Sequence, residues 1–373
     1  MPEEQRIAVP TEFDPEDEYR PEPEPEPLPP SWMDGRVRIG IHTSIAGSYL
    51  NALESARKLG CNALQIFSAS PRMWQGGPAR IPELDAAAFR ARREELQLGP
   101  LVIHANYLIN LAAAQPMLRT RSIQAFHDEI VRAVALGADF LVVHPGARGE
   151  GGSAAQAIST IVESVKQARK RVPLGQLKIL IENTAGMGTA MGSRLEEVGE
   201  IVGGLLRHLP VGACFDTAHL FAAGYDIKSE AGLASTIAQI EDTVALENVP
   251  VFHVNDSKIP LGGRVDRHEH IGKGKIGREA FTRILQHPKF TAPVEGLSGR
   301  AFLAETPIED PGDDRRNVAM LWELAGLKEQ APEADQGFSM LTPALKKKIA
   351  AHKARSTRSP QRKKQAAAKR KRR

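Results

Sequence analysis

The chain has 373 residues, of which 42% are hydrophobic, and its formal net charge is +4. This composition excludes a wholly disordered protein, and the length is sufficient for one large α/β barrel or two ordinary domains. The small net charge hides a segregation, because residues 1–34 carry −9, residues 346–373 carry +14 and residues 35–345 carry −1. The basic character therefore belongs to a tail and not to the body of the chain.

Cysteine content and the N-terminal sequence indicate the compartment. Two cysteines, Cys61 and Cys214, cannot build a disulfide framework, which is typical of a reducing environment. The N-terminus is acidic and has no apolar segment of the kind found in secretory signals, and no apolar run has the length of a membrane span. We expect a soluble cytoplasmic protein that does not bind membranes.

The two ends of the chain differ from the middle in composition. Proline alternates with glutamate over much of residues 21–30, and this pattern favours an extended, solvated segment. From about Lys346 the chain is mostly Lys, Arg, Ala and Gln, with no apolar periodicity after Ile349. We predict a disordered acidic leader at residues 1–35, a barrel domain at 36–328, and a linker with a disordered basic tail at 329–373.

Eight short apolar runs occupy the middle of the chain in chain order. They are continuous rather than alternating in polarity, as expected of strands buried on both faces. Segments with helical spacing separate them, such as residues 48–59 before Gly60 and residues 123–134 before Gly137. The pattern predicts a (β/α)8 TIM barrel, with a doubly wound open sheet as the structural alternative. The eight runs are Val37–His42, Ala63–Phe67, Leu101–His104, Phe140–His144, Ile179–Glu182, Val211–Asp216, Val251–Asn255 and Phe302–Glu305.

Most of these runs end in a side chain that can bind a metal ion. A lone histidine beside an apolar run is more often a packed core or loop residue. In a closed parallel barrel, however, the C-terminal strand ends all meet at one face, and burying several carboxylates and imidazoles there without cations would be very costly. The pattern therefore predicts a metal centre. The residues are His42, His104, His144, Glu182, Asp216 and Glu305 at the run ends, with His253 inside the seventh run.

Two local spacings add further ligands. Asp216 and His219 are three residues apart, so one helical turn would bring them to the same side. Asp266 and His268 are two apart, on one face of an extended segment. Carboxylates mixed with imidazoles suit Zn²⁺ or Mn²⁺ better than Ca²⁺, which prefers oxygen ligands alone. We assign Cys214, although it lies close to Asp216, to barrel packing.

The segment Gly272–Gly277 reads G-x-G-x-x-G but does not indicate a dinucleotide site. It follows a His-rich loop rather than a strand and lies far from the first strand–helix unit. We expect a plain loop, or one whose backbone approaches a phosphate.

Eight short motifs follow one another along the barrel region of the chain. They are HANYLIN at 104–110, VHPG at 143–146, IENTAG at 181–186, FDTAH at 215–219, AGYD at 223–226, HVNDSK at 253–258, RVDRH at 264–268 and AET at 304–306. Together they resemble the endonuclease IV family of abasic-site endonucleases. The resemblance covers about residues 37–327 and implies a TIM barrel with three zinc ions held by nine protein ligands. One departure is Ser70, where the family usually has Asn, and it affects a contact to DNA rather than the metals.

The resemblance assigns all nine ligand positions to residues of this chain. The first zinc would be held by His104, His144 and Glu182. Glu182 would bridge to a second zinc held also by Asp216, His253 and Glu305. The third would be held by His219, Asp266 and His268, and Mn²⁺ is an alternative to zinc at one of the sites. His42 would support the ligands without binding metal itself.

The resemblance also implies the reaction. The expected activity is hydrolysis of the phosphodiester 5′ to an abasic site, which leaves a 3′-OH and a 5′-deoxyribose phosphate, with trimming of blocked 3′ ends as a second activity. Glu182 and Glu305 would be the catalytic residues. The partner would be double-stranded DNA with abasic sites or blocked 3′ ends, bound by a monomer. The DNA-contacting residues would be Arg72, Tyr107, Leu108 and Arg267.

Two other functions fit part of the sequence. A metal-dependent sugar isomerase or epimerase of the same barrel superfamily would use one or two metals, without the third cluster. A non-catalytic nucleic-acid-binding protein would rely on the 14 bases of residues 346–373, which are typical of a polyanion-binding tail. That tail could otherwise tether the enzyme to DNA, act as a nuclear import signal, or be a soluble extension.

Overall fold

A computed structural model describes residues 37–74, 80–292 and 300–332 of the chain. The predicted leader and the basic tail, residues 346–373, lie outside the described residues. None of the helices in the described ranges is long and apolar enough to cross a membrane.

Eight parallel strands form a closed barrel. The first strand pairs with the second through Gly40 and Ala63 and with the last through Arg38 and Ala301, so the sheet has no free edge. The predicted (β/α)8 barrel is therefore confirmed, and the open-sheet alternative is wrong. The barrel strands are β1 (Arg38–His42), β2 (Ala63–Phe67), β3 (Leu101–His104), β4 (Phe140–Val143), β5 (Lys178–Glu182), β6 (Val211–Asp216), β7 (Val251–His253) and β10 (Ala301–Ala304).

Helices pack around the outside of the barrel. They are α1 (Tyr49–Leu59), α2 (Glu83–Glu95), α3 (Pro116–Leu136), α4 (Ala154–Arg169), α5 (Leu195–Leu205), α6 (Thr217–Ala223), α7 (Glu230–Thr243), α8 (Arg278–Leu285), α9 (Pro288–Thr291) and α10 (Asp313–Leu324), with 3₁₀ turns at Leu246–Asn248 and Lys328–Gln330.

Local sequence signals fix the ends of two helices as predicted. The hydroxyl of Ser48 accepts a hydrogen bond from the backbone N–H of Asn51 and caps α1. Gly60 ends α1 with φ of 79°, and Gly137 ends α3 with φ of 66°, a left-handed conformation that glycine adopts without steric cost. Strand β4 ends one residue before the predicted end, because Pro145, which follows His144, has no backbone N–H with which to continue the ladder.

The barrel interior is a packed core. Among the described residues, nine buried apolar side chains fill it, and Cys214 is one of them, as predicted from the sequence. Gly40 is required for this packing, since a Cβ there would lie 2.2 Å from the carbonyl oxygen of Ala63 on the neighbouring strand. The larger core lies between the barrel and its helices. Closely packed apolar side chains therefore lie directly beneath the C-terminal strand ends.

A small antiparallel pair stands beside the barrel mouth. Strand β8 (Asp256–Ser257) pairs with β9 (His268–Glu269). The buried carboxylate of Asp256 accepts hydrogen bonds from the backbone N–H groups of Gly274, Ile276 and Gly277 at 2.9–3.2 Å. The G-x-G-x-x-G loop thus directs these amides at a carboxylate of the same chain, which leaves them no role in binding a phosphate.

Candidate metal centre

Glu182, at the end of β5, is fully buried and lies at the middle of the predicted ligands. Its Oε2 is 3.2 Å from Nε2 of His104 and 3.1 Å from Nε2 of His144. Its other oxygen, Oε1, is 2.9 Å from Nδ1 of His253. The two oxygens of one carboxylate therefore face two different sets of imidazoles, as a residue that bridges two cations would.

Glu305 faces the second set from the end of β10. Its Oε2 is 3.4 Å from Nδ1 of His253, and the ligand atoms of Glu182, Asp216, His253 and Glu305 all lie within 4.8 Å of one another. His42 stands further out, with Nδ1 3.9 Å from Oε1 of Glu305, and it belongs to none of the groups of possible metal ligands that the described residues form.

A third set forms around the start of α6. Asp216 caps this helix by accepting a hydrogen bond from the backbone N–H of His219 at 2.9 Å, so the helical turn brings His219 beside it. Asp216, His219 and His268 lie within 4.8 Å of one another. The carboxylate of Asp266 is 3.3 Å from Nε2 of His219 and 3.1 Å from Nε2 of His268.

The structure therefore brings all nine predicted ligands to one end of the barrel, in three groups. One detail differs from the sequence-based assignment. Asp216 stands close to the third group as well as to the second, because the turn into α6 places it between them. The metal-binding role of each residue stays a prediction.

The charges of these residues fit a cluster of cations. Burial by itself would lower the pKa of His219, but the carboxylates of Asp216 and Asp266 raise it to about 10. The same carboxylates outweigh burial at His268 and raise its pKa to about 9. Burial would raise the pKa of Glu182, yet His253 and His144 hold it well below its usual value. Glu182 thus remains ionised at the centre of the site and draws positive charge, which divalent cations would supply.

A buried nitrogen atom without a hydrogen-bond partner also indicates a metal ion. Nε2 of His268 is buried and has no hydrogen-bond partner within the described part of the chain, since its approach to Asp266 lacks hydrogen-bond geometry. A buried imidazole nitrogen without a partner is costly, and a metal ion would satisfy it.

Three buried amide side chains that sequence reasoning missed hold the ligands in place. Gln65 contacts His253 and Glu305, Asn183 accepts from the backbone N–H of Asp216 at 2.7 Å, and Asn255 donates to Oδ2 of Asp216 at 2.6 Å. Each had a signal in the sequence. Gln65 is a polar residue inside an apolar run, Asn183 directly follows a predicted ligand, and Asn255 follows another at a distance of two residues.

The predicted DNA-contacting residues of two loops lie together at the barrel mouth. Tyr107 is 56% exposed, and its ring packs edge-on against Phe67 at 5.2 Å between centroids. Tyr107 and the half-buried Leu108 line a cavity of about 250 Å³ together with His104 and His144. The exposed Arg72 lies on the loop after β2.

Arg267 and Ser70 complete the predicted contacts. Arg267 is exposed on the segment between Asp266 and His268, and its Nη1 donates to the backbone oxygen of Asp266 at 2.8 Å. Ser70 is exposed on the loop after β2, and its backbone oxygen accepts from the side chain of Asn106 at 3.0 Å. Contact of these residues with DNA stays a prediction.

The fold and this site define a class of protein. A family model described as a xylose isomerase-like TIM barrel matches residues 53–319. A relative from Solibacter usitatus, named probable endonuclease 4, is 46% identical over 299 residues, which span 79% of this chain and 99% of that protein. The crystal structure of endonuclease IV from Thermus thermophilus is 36% identical with a TM-score of 0.66, and the match covers 78% of this chain and 99% of that one. The chain belongs to the endonuclease IV family, so the resemblance seen in the motifs is confirmed.

Sugar-epimerase structures share the barrel alone. A D-tagatose 3-epimerase-like protein matches with a TM-score of 0.57 at 19% identity, over 78% of this chain and 98% of that one. At this identity the likeness shows a common fold and carries no information about substrate.

Proposed function

We propose that this protein is a zinc-dependent abasic-site endonuclease that cleaves the phosphodiester 5′ to the lesion and leaves a 3′-OH and a 5′-deoxyribose phosphate. The observation that carries the proposal is the grouping of nine carboxylate and imidazole residues at the barrel mouth in a member of the endonuclease IV family. Trimming of blocked 3′ ends would use the same residues, since both reactions hydrolyse a phosphate ester at a 3′ oxygen.

Each group of ligands has a distinct part in this proposal. His104, His144 and Glu182 would hold one cation, Glu182, Asp216, His253 and Glu305 a second, and His219, Asp266 and His268 a third. Zn²⁺, or Mn²⁺ at one position, would supply Lewis acidity to the phosphate and lower the pKa of bound water.

The protein's own contribution is orientation and the exclusion of water. Burial would raise the pKa of Glu305, but His253 and His104 hold this pKa at about 2. The carboxylate therefore stays ionised and can accept a hydrogen bond from a fixed direction. Glu182 keeps the first two groups of imidazoles at a constant separation through its two oxygens. Glu182 and Glu305 are therefore the proposed catalytic residues.

Recognition of the lesion would depend on the mouth of the barrel. An abasic nucleotide has no base to stack, so it is cheap to rotate out of the helix. Tyr107 and Leu108 would fill the space that the rotated nucleotide leaves in the base stack of the DNA. Arg72 and Arg267 would contact phosphates. Ser70 cannot make the amide contacts of the Asn that is usual in the family, so we expect this loop to bind DNA through Arg72 and the backbone.

The test is incision of a duplex that carries one tetrahydrofuran abasic analogue, by protein whose zinc content is measured. We expect about three zinc ions per chain, a single cut 5′ to the analogue with a ligatable 3′-OH, and loss of the cut after chelation with recovery on adding Zn²⁺. The Glu182→Gln variant should lose incision by about 10³-fold or more, because it removes one charge shared by two groups of ligands. An intact duplex is the control substrate.

The runner-up function makes the opposite predictions. A sugar isomerase or epimerase would bind one or two metals, leave the tetrahydrofuran duplex uncut and convert a ketose. That set of results would overturn the proposal.

A further inference from the structure

The buried amide of Gln65 joins two of the proposed ligands through a single side chain. Within β2, Ala63 faces the barrel interior, whereas Leu64 and Ile66 face the surrounding helices. Because strand side chains alternate, Gln65 points the same way as Ala63, into the barrel and towards its mouth. It is completely buried, although it carries a polar group that must find partners.

Three of the four hydrogen-bonding positions of this amide are used. Its Nε2 lies 2.5 Å from Oε1 of Glu305 and 3.0 Å from Nδ1 of His42. Its Oε1 lies 2.7 Å from Nε2 of His253. An amide nitrogen has two hydrogens to donate, and an amide oxygen can only accept, so this set of contacts matches the group's chemistry.

The Glu305 carboxylate decides which way round the amide sits. An ionised carboxylate can only accept hydrogen bonds, so the amide nitrogen must face Glu305 and the amide oxygen must face His253. The oxygen in turn requires that Nε2 of His253 carries a hydrogen. In the neutral imidazole that binds a metal ion, the lone pair is then on the other nitrogen, Nδ1, which faces Glu182 at 2.9 Å and Glu305 at 3.4 Å.

We propose that Gln65 is a positioning residue, which fixes the tautomer of His253 so that its Nδ1 is the metal-binding atom and which holds the Glu305 carboxylate in the orientation that faces the second cation. The inference rests on the proposed function, since it concerns how that metal site is assembled. His42 accepts the second amide hydrogen and keeps the amide from rotating.

The orientation of ligands by hydrogen bonds from outside the metal site commonly accounts for about a 10- to 100-fold change in metal affinity or activity. Two substitutions separate the functions of the two ends of the amide. Gln65→Met has a similar length and volume but neither donates nor accepts a strong hydrogen bond. Gln65→Glu keeps an oxygen for His253 but replaces the donor to Glu305 by a second acceptor.

The experiment measures zinc affinity by competition with a chromophoric chelator on metal-depleted protein, and steady-state incision of the tetrahydrofuran duplex. For Gln65→Met we expect two ions bound as in the wild type, one bound about 10- to 100-fold more weakly, and a kcat lower by a similar factor with KM within about twofold. For Gln65→Glu we expect the affinity for that ion to recover in part, because the acceptor for His253 is restored, while kcat stays low because Glu305 is repelled.

Gln286→Met serves as the matched control, because Gln286 donates one hydrogen bond to the backbone oxygen of Leu324 far from the metal groups. Far-ultraviolet circular dichroism and melting of the metal-free proteins establish that each variant folds. The proposal is overturned if Gln65→Met binds every ion with wild-type affinity, or if Gln65→Met and Gln65→Glu lose affinity and kcat in parallel, as a purely structural role predicts. If Gln65→Met does not fold, wild-type kcat in Gln65→Glu overturns it. A wild-type protein that binds no zinc would instead refute the proposed function.

Discussion

The side-chain amide of Asn106 donates a hydrogen bond to the backbone oxygen of Met73 at 2.9 Å. The same nitrogen donates to the backbone oxygen of Ser70 at 3.0 Å, and the side-chain oxygen accepts from the backbone N–H of Leu108 at 2.8 Å. One side chain therefore ties the loop that carries Arg72 to the loop that carries Leu108. We propose that this connection holds the two loops together as one surface for DNA.

Replacing Asn106 by Ala should weaken the recognition of lesions. The variant loses three hydrogen bonds that organise the two loops, which corresponds to about 1–3 kcal/mol and hence to roughly a 5- to 150-fold increase in KM or Kd for abasic duplex. We expect kcat and zinc content to stay close to wild type. Fluorescence anisotropy with abasic and intact duplexes measures the change.

Asn248→Ala is the control for this substitution. Asn248 also donates from its side chain to a backbone oxygen, that of Val244, but it precedes β7 at the opposite end of the barrel. Equal affinities of the Asn106 and Asn248 variants for abasic duplex would show that the connection between the loops has no part in recognition.

Replacing Arg267 by Ala should weaken DNA binding in a salt-dependent way. Arg267 is exposed beside two proposed ligands, and removing one phosphate contact lowers the slope of log K against log salt by about 1. The loss of affinity should be the same for different flanking sequences, because a phosphate contact does not read bases. Lys328→Ala removes an exposed charge near the end of α10, at the other end of the barrel, and should leave the slope unchanged. An unchanged slope in Arg267→Ala would place Arg267 outside the DNA interface.

Replacing Asp256 by Ala should destabilise the protein and disturb the third group of ligands. The Asp256 carboxylate accepts four backbone hydrogen bonds, from Ser257 and from three residues of the loop 274–277. Leaving these donors unsatisfied should cost about 3 kcal/mol or more, measured by chemical denaturation of the metal-free protein. Because β8 pairs with β9, which begins at His268, we also expect weaker binding of one zinc ion.

Two further variants serve as controls for Asp256→Ala. Asp256→Asn retains an acceptor oxygen and should lose less stability than Asp256→Ala. Asp242→Ala, an exposed change on α7, should be close to neutral. A neutral effect of Asp256→Ala would mean that the loop 272–277 does not depend on this carboxylate.

Deleting residues 346–373 should reduce affinity for undamaged DNA. The segment carries 14 bases and no acids, and such a tail binds DNA by releasing counterions without reading sequence. We expect a flatter dependence of binding on salt and an almost unchanged kcat on abasic duplex at saturation. Deleting residues 1–34, which removes a charge of −9, should not flatten that dependence. An equal salt slope with and without the basic tail would refute the tethering role.

The sequence by itself determined the barrel and the identity of the grouped residues. Strands buried on both faces must be continuously apolar, so a polar residue at the end of such a run stands out, as His104, Glu182 and Asp216 do. The spacing of Asp216 and His219 was sufficient to predict that one helical turn joins them, and α6 provides that turn.

Only the tertiary structure decided how these residues support one another. Gln65 and Glu305 are 240 positions apart in the chain, and their contact exists because the barrel closes between β1 and β10. Asn106 joins two loops, and Asp256 takes up the amides of a loop whose sequence pattern is typical of phosphate binding. A periodic pattern records which face a residue occupies, but the partner of a buried polar group depends on which strands and loops the closed barrel places opposite it.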